Sequence, residues 1–415
     1  MNCIRTAKAE EAEAVGEVIG GAFGESHREA TVEGCRHAPG EWRVLEHDGR
    51  VVSACRVQVH RLRVGCCEIS KGDVGHVGTL PEVQGRGFAS ELMRDTVGYL
   101  KEAGCQIGRL GGLIAFYSRF GWVPFPRRYY EFRLELAHAG VRTLQPDQYL
   151  LPPEGFRGRI VPFDPVRHHE GHVRLHEAFN RNRTGGLVVA FGEPPKAGEA
   201  KPDGTGLRLA CEMEGRLVGY LFGFQRPARH TSFEAEAEIG EVAYEWEHPE
   251  ALGALVMQAL RVACRKGATR VTGRLPFDVR VEDALRDSGV PFFQVEIQTA
   301  PASNMIRIVD LPGLLQRIAP ELEARLARSA AAGWSGEIGF CGEEQTAVLE
   351  VRAGRAAAWD WTPGKLRVDA DQATMLKLVL GLRSFGECVE LADPKAQQVC
   401  EALFPRQATA CGVWG

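Results

Sequence analysis

Between Gln84 and Ser90 the chain reads Gln-Gly-Arg-Gly-Phe-Ala-Ser, a set of residues suited to holding an anion. Gly85 and Gly87 let the backbone approach a phosphate closely, and Arg86 adds a formal charge. From Phe88 onward, Ala89, Leu92, Met93, Thr96, Val97 and Leu100 recur at helical spacing, as on the buried face of an amphipathic helix. The N–H groups of its first turn and its positive dipole end would then face the ligand. Upstream, Gly75–Pro81 reads as a short strand delivering the chain into the loop. Taken alone, the loop also fits a glycine-rich strand-to-helix turn with no ligand. About thirty residues on stands Ile114-Ala115-Phe116-Tyr117-Ser118-Arg119-Phe120-Gly121-Trp122-Val123-Pro124, an aromatic helix end with a second strand before it.

The elements around these residues occur twice. Trp42–Ser53 and Arg208–Gly219 each read as strand, acidic-glycine turn and strand, the signal of a hairpin. Pro81-Glu82 with a helix ending near Gly104 is matched by Pro249-Glu250, another helix and Gly267. Aligning Pro249 with Pro81 puts Leu252 at Gln84, Ala254 at Arg86 and Leu255 at Gly87. A leucine at the last position blocks close backbone approach, so the second copy is expected to bind no such ligand. Proline- and glycine-rich stretches at 145–165 and 192–206 read as a linker and a surface loop. A third junction falls near Asn304–Pro312, where strand-like Met305–Val309 leads into a helix expected to run to Ala332. Beyond it, strands are expected at 336–340, 347–351 and 356–361, and a helix at 371–382. Three domains follow: 1–145, 146–303 and 304–415.

The Gln-x-x-Gly-x-Ala loop after a strand, followed by Phe-Tyr-x-Arg-Phe-Gly-Trp, resembles the GNAT acyl-CoA-dependent N-acetyltransferases. Within them the chain looks most like the enhanced intracellular survival (Eis) group. His176–Arg181 with Thr184-Gly185-Gly186, Asn304–Leu311 and Ala402-Leu403-Phe404-Pro405 add to that likeness. The resemblance implies an α+β fold with mixed sheets: a catalytic GNAT domain, a degenerate second copy and a sterol-carrier-protein-like C-terminal domain. It implies acetyl-CoA as co-substrate, with Val77, Gly78 and Thr79 offering backbone groups to the pantetheine arm. Gly85, Arg86, Gly87, Phe88, Ala89 and Ser90 would wrap the pyrophosphate, and Gly112 would line the same slot. Tyr117 would be the general acid for the departing thiolate, and a phenol with an ordinary pKa of about 10 suits that task. The base would be the C-terminal carboxylate, here Gly415, although the chain lacks the aromatic last residue common in the group. His76 or a water chain is the alternative. The reaction expected is direct attack of a primary amine (aminoglycoside-like, polyamine or lysine-type) on the thioester. A homo-oligomer, a hexamer in the group, is implied as well. The rival reading is a lipid or ligand carrier, or a scaffold, with a vestigial GNAT site.

Composition bounds the partners. Fifty Lys and Arg balance 54 Asp and Glu for a net charge of −4, which argues against nucleic acid as the main partner. The longest apolar run, Leu252–Cys264, is interrupted by Gln258 and Arg261, so no membrane span is expected. The charged start, with Arg5, Lys8 and Glu10, does not read as a signal peptide, and a cytoplasmic protein is expected. The 12 cysteines contain no Cys-x-x-Cys pair and read as reduced structural thiols. Adjacent Cys66 and Cys67 are expected on opposite faces of a strand. His168, His172 and His176 share a helix face, yet no further ligand completes a zinc set; a solvated face and no metal are expected. Arg127 and Arg128 fit either a contact to the CoA 3′-phosphate or a surface position.

Overall fold

The computed structural model describes residues 2–133, 146–194, 204, 206–225, 236–342, 344–360 and 366–410. They form an α+β fold with mixed sheets, in two compact units. The first unit opens with β1 (Asn2–Thr6), α1 (Ala12–Phe23), α2 (Arg28–His37), β2 (Trp42–His47), β3 (Arg50–Val64) and β4 (Cys67–Thr79). It continues through α3 (Phe88–Glu102), β5 (Ile107–Leu113), the single turn α4 (Ile114–Tyr117) and β6 (Val123–Pro124). The second unit holds β7 (Arg127–Arg133), α5 (Pro146–Tyr149), β8 (Arg159–Pro162), α6 (His169–Asn180), β9 (Arg208–Met213), β10 (Arg216–Gln225) and β11 (Ala237–Tyr244). To these it adds α7 (Glu250–Arg265), β12 (Arg270–Gly273), α8 (Val279–Asp287) and β13 (Phe293–Ile297). The chain then returns to the first unit with β14 (Ala302–Ile308), α9 (Leu311–Ala327), β15 (Gly336–Cys341), β16 (Thr346–Arg352), β17 (Arg355–Asp360), β18 (Leu366–Asp369), α10 (Gln372–Val379) and α11 (Pro394–Leu403).

The first sheet has strand order β1-β2-β3-β4-β5-β14-β6, and the second β13-β7-β12-β11-β10-β9-β8. Both follow one plan, in which an antiparallel meander is joined to a parallel pair by a helical crossover, β4·β5 across α3 and β11·β12 across α7. The strand spanning residue 304 is part of the first sheet, inserted between β5 and β6, while β7 lies in the second sheet. The third sheet, β17-β16-β15-β18, packs on α9 within the first unit.

Local sequence explains the elements that matter. α3 starts at Phe88 because Gly87, with φ +89°, turns the chain into it, and Phe88, Leu92, Met93, Thr96 and Leu100 are its buried face. α9 begins at an Asp310 cap that accepts from Gly313 N–H. It ends at Ala327 rather than Ala332, and beyond it Ser329 Oγ donates to Leu326 O at 2.8 Å and accepts from Ala331 N–H at 3.0 Å, a local turn in place of the helix ladder. β18, four residues with only Val368 buried, is too short to show an alternation in sequence. Among the described residues no helix is long and apolar enough to cross a membrane.

Candidate active site

β4 and β5 pair in parallel over Lys71–Val74 and Ile107–Leu110. Beyond that point β4 stays bonded to β3 as far as Thr79, and β5 stays bonded to β14 as far as Leu113. The two strands therefore part, and alternate backbone N–H and C=O groups of each turn into the gap. Val77, Gly78 and Thr79 lie on that stretch of β4, and Gly112 lies on the facing stretch of β5. A bulge sharpens the parting. Ala54 pairs with Gly78 and Arg56 with Gly75, so two residues of β4, His76 and Val77, oppose one of β3. His76 has φ +50°, an uncommon conformation for a residue with a side chain. A Cβ on Gly78 would lie 3.1 Å from both Ala22 Cβ and Ile19 Cδ1, which is why α1 can rest directly on this strand.

The loop below is fastened at its start, where Gln84 Nε2 donates to Thr79 O at 3.2 Å. Gly85 and Gly87 have φ +77° and +89°, and an added Cβ on either would meet open space. Conformation, not crowding, calls for glycine there. Ser90 N–H already bonds Gly87 O at 2.9 Å, so Phe88 and Ala89 carry the first open N–H groups of α3. Arg86 lies over the Phe88 ring at 5.2 Å, with His47 beside it. A second cation escaped the sequence reading as a site residue. Arg119, held on the faces of Phe116 (4.8 Å) and Phe120 (5.5 Å), reaches Ser90 Oγ at 3.5 Å. Only the fold brings the end of the tyrosine segment to the start of α3.

Tyr117 is half-buried at the end of α4, its ring edge-on to Phe116 at 4.8 Å. Gly112 makes room for it: a Cβ there would stand 2.8 Å from Tyr117 Cδ2 and 3.2 Å from Cζ. Burial, with the Cys55 thiol adding, pushes the Tyr117 hydroxyl up to about 12. It is protonated across the neutral range, but as an acid it is weaker than an ordinary phenol. On the other flank of β4, His76 is ringed by Phe23 (6.2 Å), His27 (6.2 Å) and Trp42 (6.0 Å). Burial, then Arg56 and His27, lower its pKa and keep the imidazole neutral. Glu41 is engaged by Arg56 at 2.6 Å. Gly415 lies outside the described residues, as do Trp361 and Cys411.

In the second unit, Leu252 and Leu255 are fully buried and Ala254 nearly so, where the first unit has Gln84, Gly87 and Arg86. The expected solvated histidine face is instead packed inward. His168 Nε2 meets Glu212 Oε1 at 2.9 Å, and His176 Nδ1 meets Glu241 Oε1 at 2.9 Å. Tyr220 donates to the same Glu241 oxygen at 2.5 Å. Burial alone would raise Glu241, but His172, His176 and Tyr220 hold it well below the usual carboxylate range. β9 and β11 supply these carboxylates, which the helix period alone does not reveal. Arg128, one of the two residues left between a phosphate contact and the surface, is buried and paired with Glu296 at 2.6 Å.

Residues 3–125 match the family model described as the acetyltransferase (GNAT) domain. Among solved structures the chain is similar to a GCN5-related N-acetyltransferase from Anabaena variabilis, with TM-score 0.64 and 14% identity over 99% of this chain and 98% of that one. It is similar also to a GCN5-related N-acetyltransferase from Kribbella flavida, with TM-score 0.64 and 17% identity over 99% and 97%. Eis1 from Mycobacterium abscessus gives TM-score 0.56 and 17% identity over 99% of each chain. At such identities the likeness is one of fold. No curated protein matches the sequence. The chain thus carries a GNAT acetyltransferase domain, and its class is that of the acyltransferases.

Proposed function

We propose that this chain is an N-acetyltransferase that moves the acetyl group of acetyl-CoA to a primary amine by direct attack. The observation that carries the reading is the parting of β4 from β5 beside the Gly85–Gly87 loop, with Tyr117 seated over Gly112. In this reading the pantetheine arm runs along Val77, Gly78 and Thr79 and pairs with those of their backbone groups that turn into the gap. The stretch Gly85 to Ser90 holds the pyrophosphate, with N–H groups and helix dipole in place of a bound metal. The tetrahedral intermediate collapses as Tyr117 gives its proton to the thiolate. Its partner base is the Gly415 carboxylate or, failing that, His76, which burial keeps ready to accept a proton. Acceptors of the aminoglycoside, polyamine and lysine type fit the class equally.

Residues 1–145 form the catalytic segment in this reading. Residues 146–303 form a copy that binds no CoA, and residues 304–415 form a sterol-carrier-like segment, for which the third sheet on α9 speaks. The protein is cytoplasmic and works as a homo-oligomer, a hexamer, which sedimentation can test. The decisive experiment is acetyl-CoA turnover against a panel of amines, reading free thiol, with Tyr117→Phe alongside. Turnover with at least one amine, lost in the variant while CoA still binds, is expected. Native protein that binds CoA and acetylates no amine sinks the reading. A C-terminal tag that leaves kcat intact while Tyr117→Phe stays impaired removes Gly415 and keeps Tyr117.

A further inference from the structure

At the tip of the β3–β4 hairpin the strands pair as far as Val64 and Cys67, so Gly65 and Cys66 are the turn. Gly65 has φ +58°, and a Cβ on it would lie 2.5 Å from Glu321 Oε1 and closer still to the rest of that carboxylate. α9 therefore sits directly on the turn. Glu321 accepts from Cys66 N–H at 2.9 Å and from Arg325 Nε at 2.8 Å, and Arg325 donates onward to Leu403 O at 2.9 Å. The expectation that Cys66 and Cys67 point to opposite faces fails here, because alternation holds only inside a strand and Cys66 has left it. The two sulfurs stand 3.8 Å apart, with Cys66 exposed and Cys67 buried. Burial, then Glu321 and Cys67, pushes the Cys66 thiol up to about 12, and burial raises Cys67 as well. At neutral pH the pair is two S–H groups.

Neutral thiols favour one chemistry over another. Disulfide formation starts from a thiolate and requires the sulfurs to close to about 2.05 Å. Condensation with a trivalent arsenical consumes neutral thiols, releases water and needs only one atom that spans both sulfurs. Two As–S bonds of about 2.3 Å, close to the zinc–thiolate length, at the pyramidal angle of trivalent arsenic, about 100°, set two sulfurs roughly 3.5 Å apart. The turn holds them at 3.8 Å, so a small closure completes the bridge. We propose that Cys66 and Cys67 form a dithiol capture site for trivalent arsenicals of the type R–As(OH)₂, presented by a turn that α9 steadies through Glu321. Two S–H and two As–OH bonds break, two As–S bonds form and two waters leave. Arsenic stays trivalent and nothing is oxidised. The site is independent of the acetyl-transfer reading.

The probe is phenylarsine oxide, which hydrates to the phenyl diol, added to the full-length protein in excess monothiol. Intact mass is expected to show one arsenical per chain, retained against monothiol and stripped by a dithiol such as 2,3-dimercaptopropanol. After tryptic cleavage of the native adduct, the arsenical should sit on residues 64–71, between Arg63 and Lys71, a result that does not depend on any variant folding. Capture should fall to none in Cys66→Ser and in Cys67→Ser, and stay full in Cys35→Ser. An adduct on another fragment, capture that survives both serine variants, or native protein that takes up none overturns the proposal. So does a fragment two hydrogens lighter without arsenic, the mark of a disulfide.

Discussion

Replacing Gly112 with alanine adds one methyl group, and the structure says what that methyl meets. Its carbon would fall nearest Tyr117 Cε2, with Cδ2 at 2.8 Å and Cζ at 3.2 Å. Carbon atoms rest about 3.5–4.0 Å apart, so the ring must retreat by more than ~1 Å. Phe116, edge-on at 4.8 Å and itself packed on Phe120 at 5.3 Å, leaves little slack on the far side. Misplacing a reacting group by about 1 Å costs on the order of 10²-fold in rate. That corresponds to about 2.7 kcal/mol of barrier. Overpacking by one methyl costs about 1–3 kcal/mol of stability, which a domain of ordinary stability survives. Measured by thiol release at saturating acetyl-CoA, kcat should fall about 10²-fold while the CoA Kd from calorimetry stays close to native. Tyr117→Phe should lower kcat by roughly 10²–10⁴-fold. The double variant should be no slower than Tyr117→Phe, since moving a ring without its hydroxyl loses nothing more. If Gly112→Ala instead weakens CoA binding and leaves kcat whole, the glycine serves the cofactor slot and the argument from the ring is refuted.

Gly87→Glu forces a side chain into φ +89°, at a cost of about 1–2 kcal/mol, and sets a negative charge against phosphate. Calorimetry should find one CoA site per native chain and none in the variant, and two equal sites would mean that Leu255 does not block the second copy. An acid works protonated, so the rise of Tyr117 to about 12 moves its loss toward higher pH. kcat should therefore show no alkaline fall between about pH 8 and 10, and a midpoint near 8 would assign the acid to another group. Arg119→Ala should raise KM for acetyl-CoA by about three- to tenfold at low salt with kcat unchanged, the difference shrinking as salt is added. A KM equal to native at low salt would remove Arg119 from the cofactor site.

Much of the local structure of the candidate site is legible in the sequence because its signals are local. The Gly85–Gly87 turn, the buried face of α3 and the segment around Tyr117 each lie within about one helix length, and spacing alone exposes them. The parting of β4 and β5 is not local. It depends on β5 exchanging one neighbour for another, and the second neighbour, β14, comes nearly 190 residues later. The service of Gly112 to the Tyr117 ring is a contact between a strand and the turn that follows it, so a glycine in that position carries no signature. His168 and His176 show the converse error, for a helical period marks a shared face but not what covers it. At Cys66 alternation fails because the residue stands in the turn, one position outside β4.

The late arrival of β14 has a consequence for how the protein is made. All seven residues of β5, Ile107 to Leu113, take their antiparallel partners from Ala302–Ile308. At a synthesis rate of about 5–20 residues per second, the ribosome needs roughly ten to forty seconds to travel from one strand to the other. Through that interval the nascent first sheet ends in a bare edge on the strand that will line the cleft, the kind of edge that recruits foreign strands. A gene fragment stopping after Phe125, although it spans the whole acetyltransferase match, would release a chain with that edge permanently open. Such a fragment should emerge as aggregate or chaperone client, whereas supplying residues 298–310 as a separate peptide should restore its solubility.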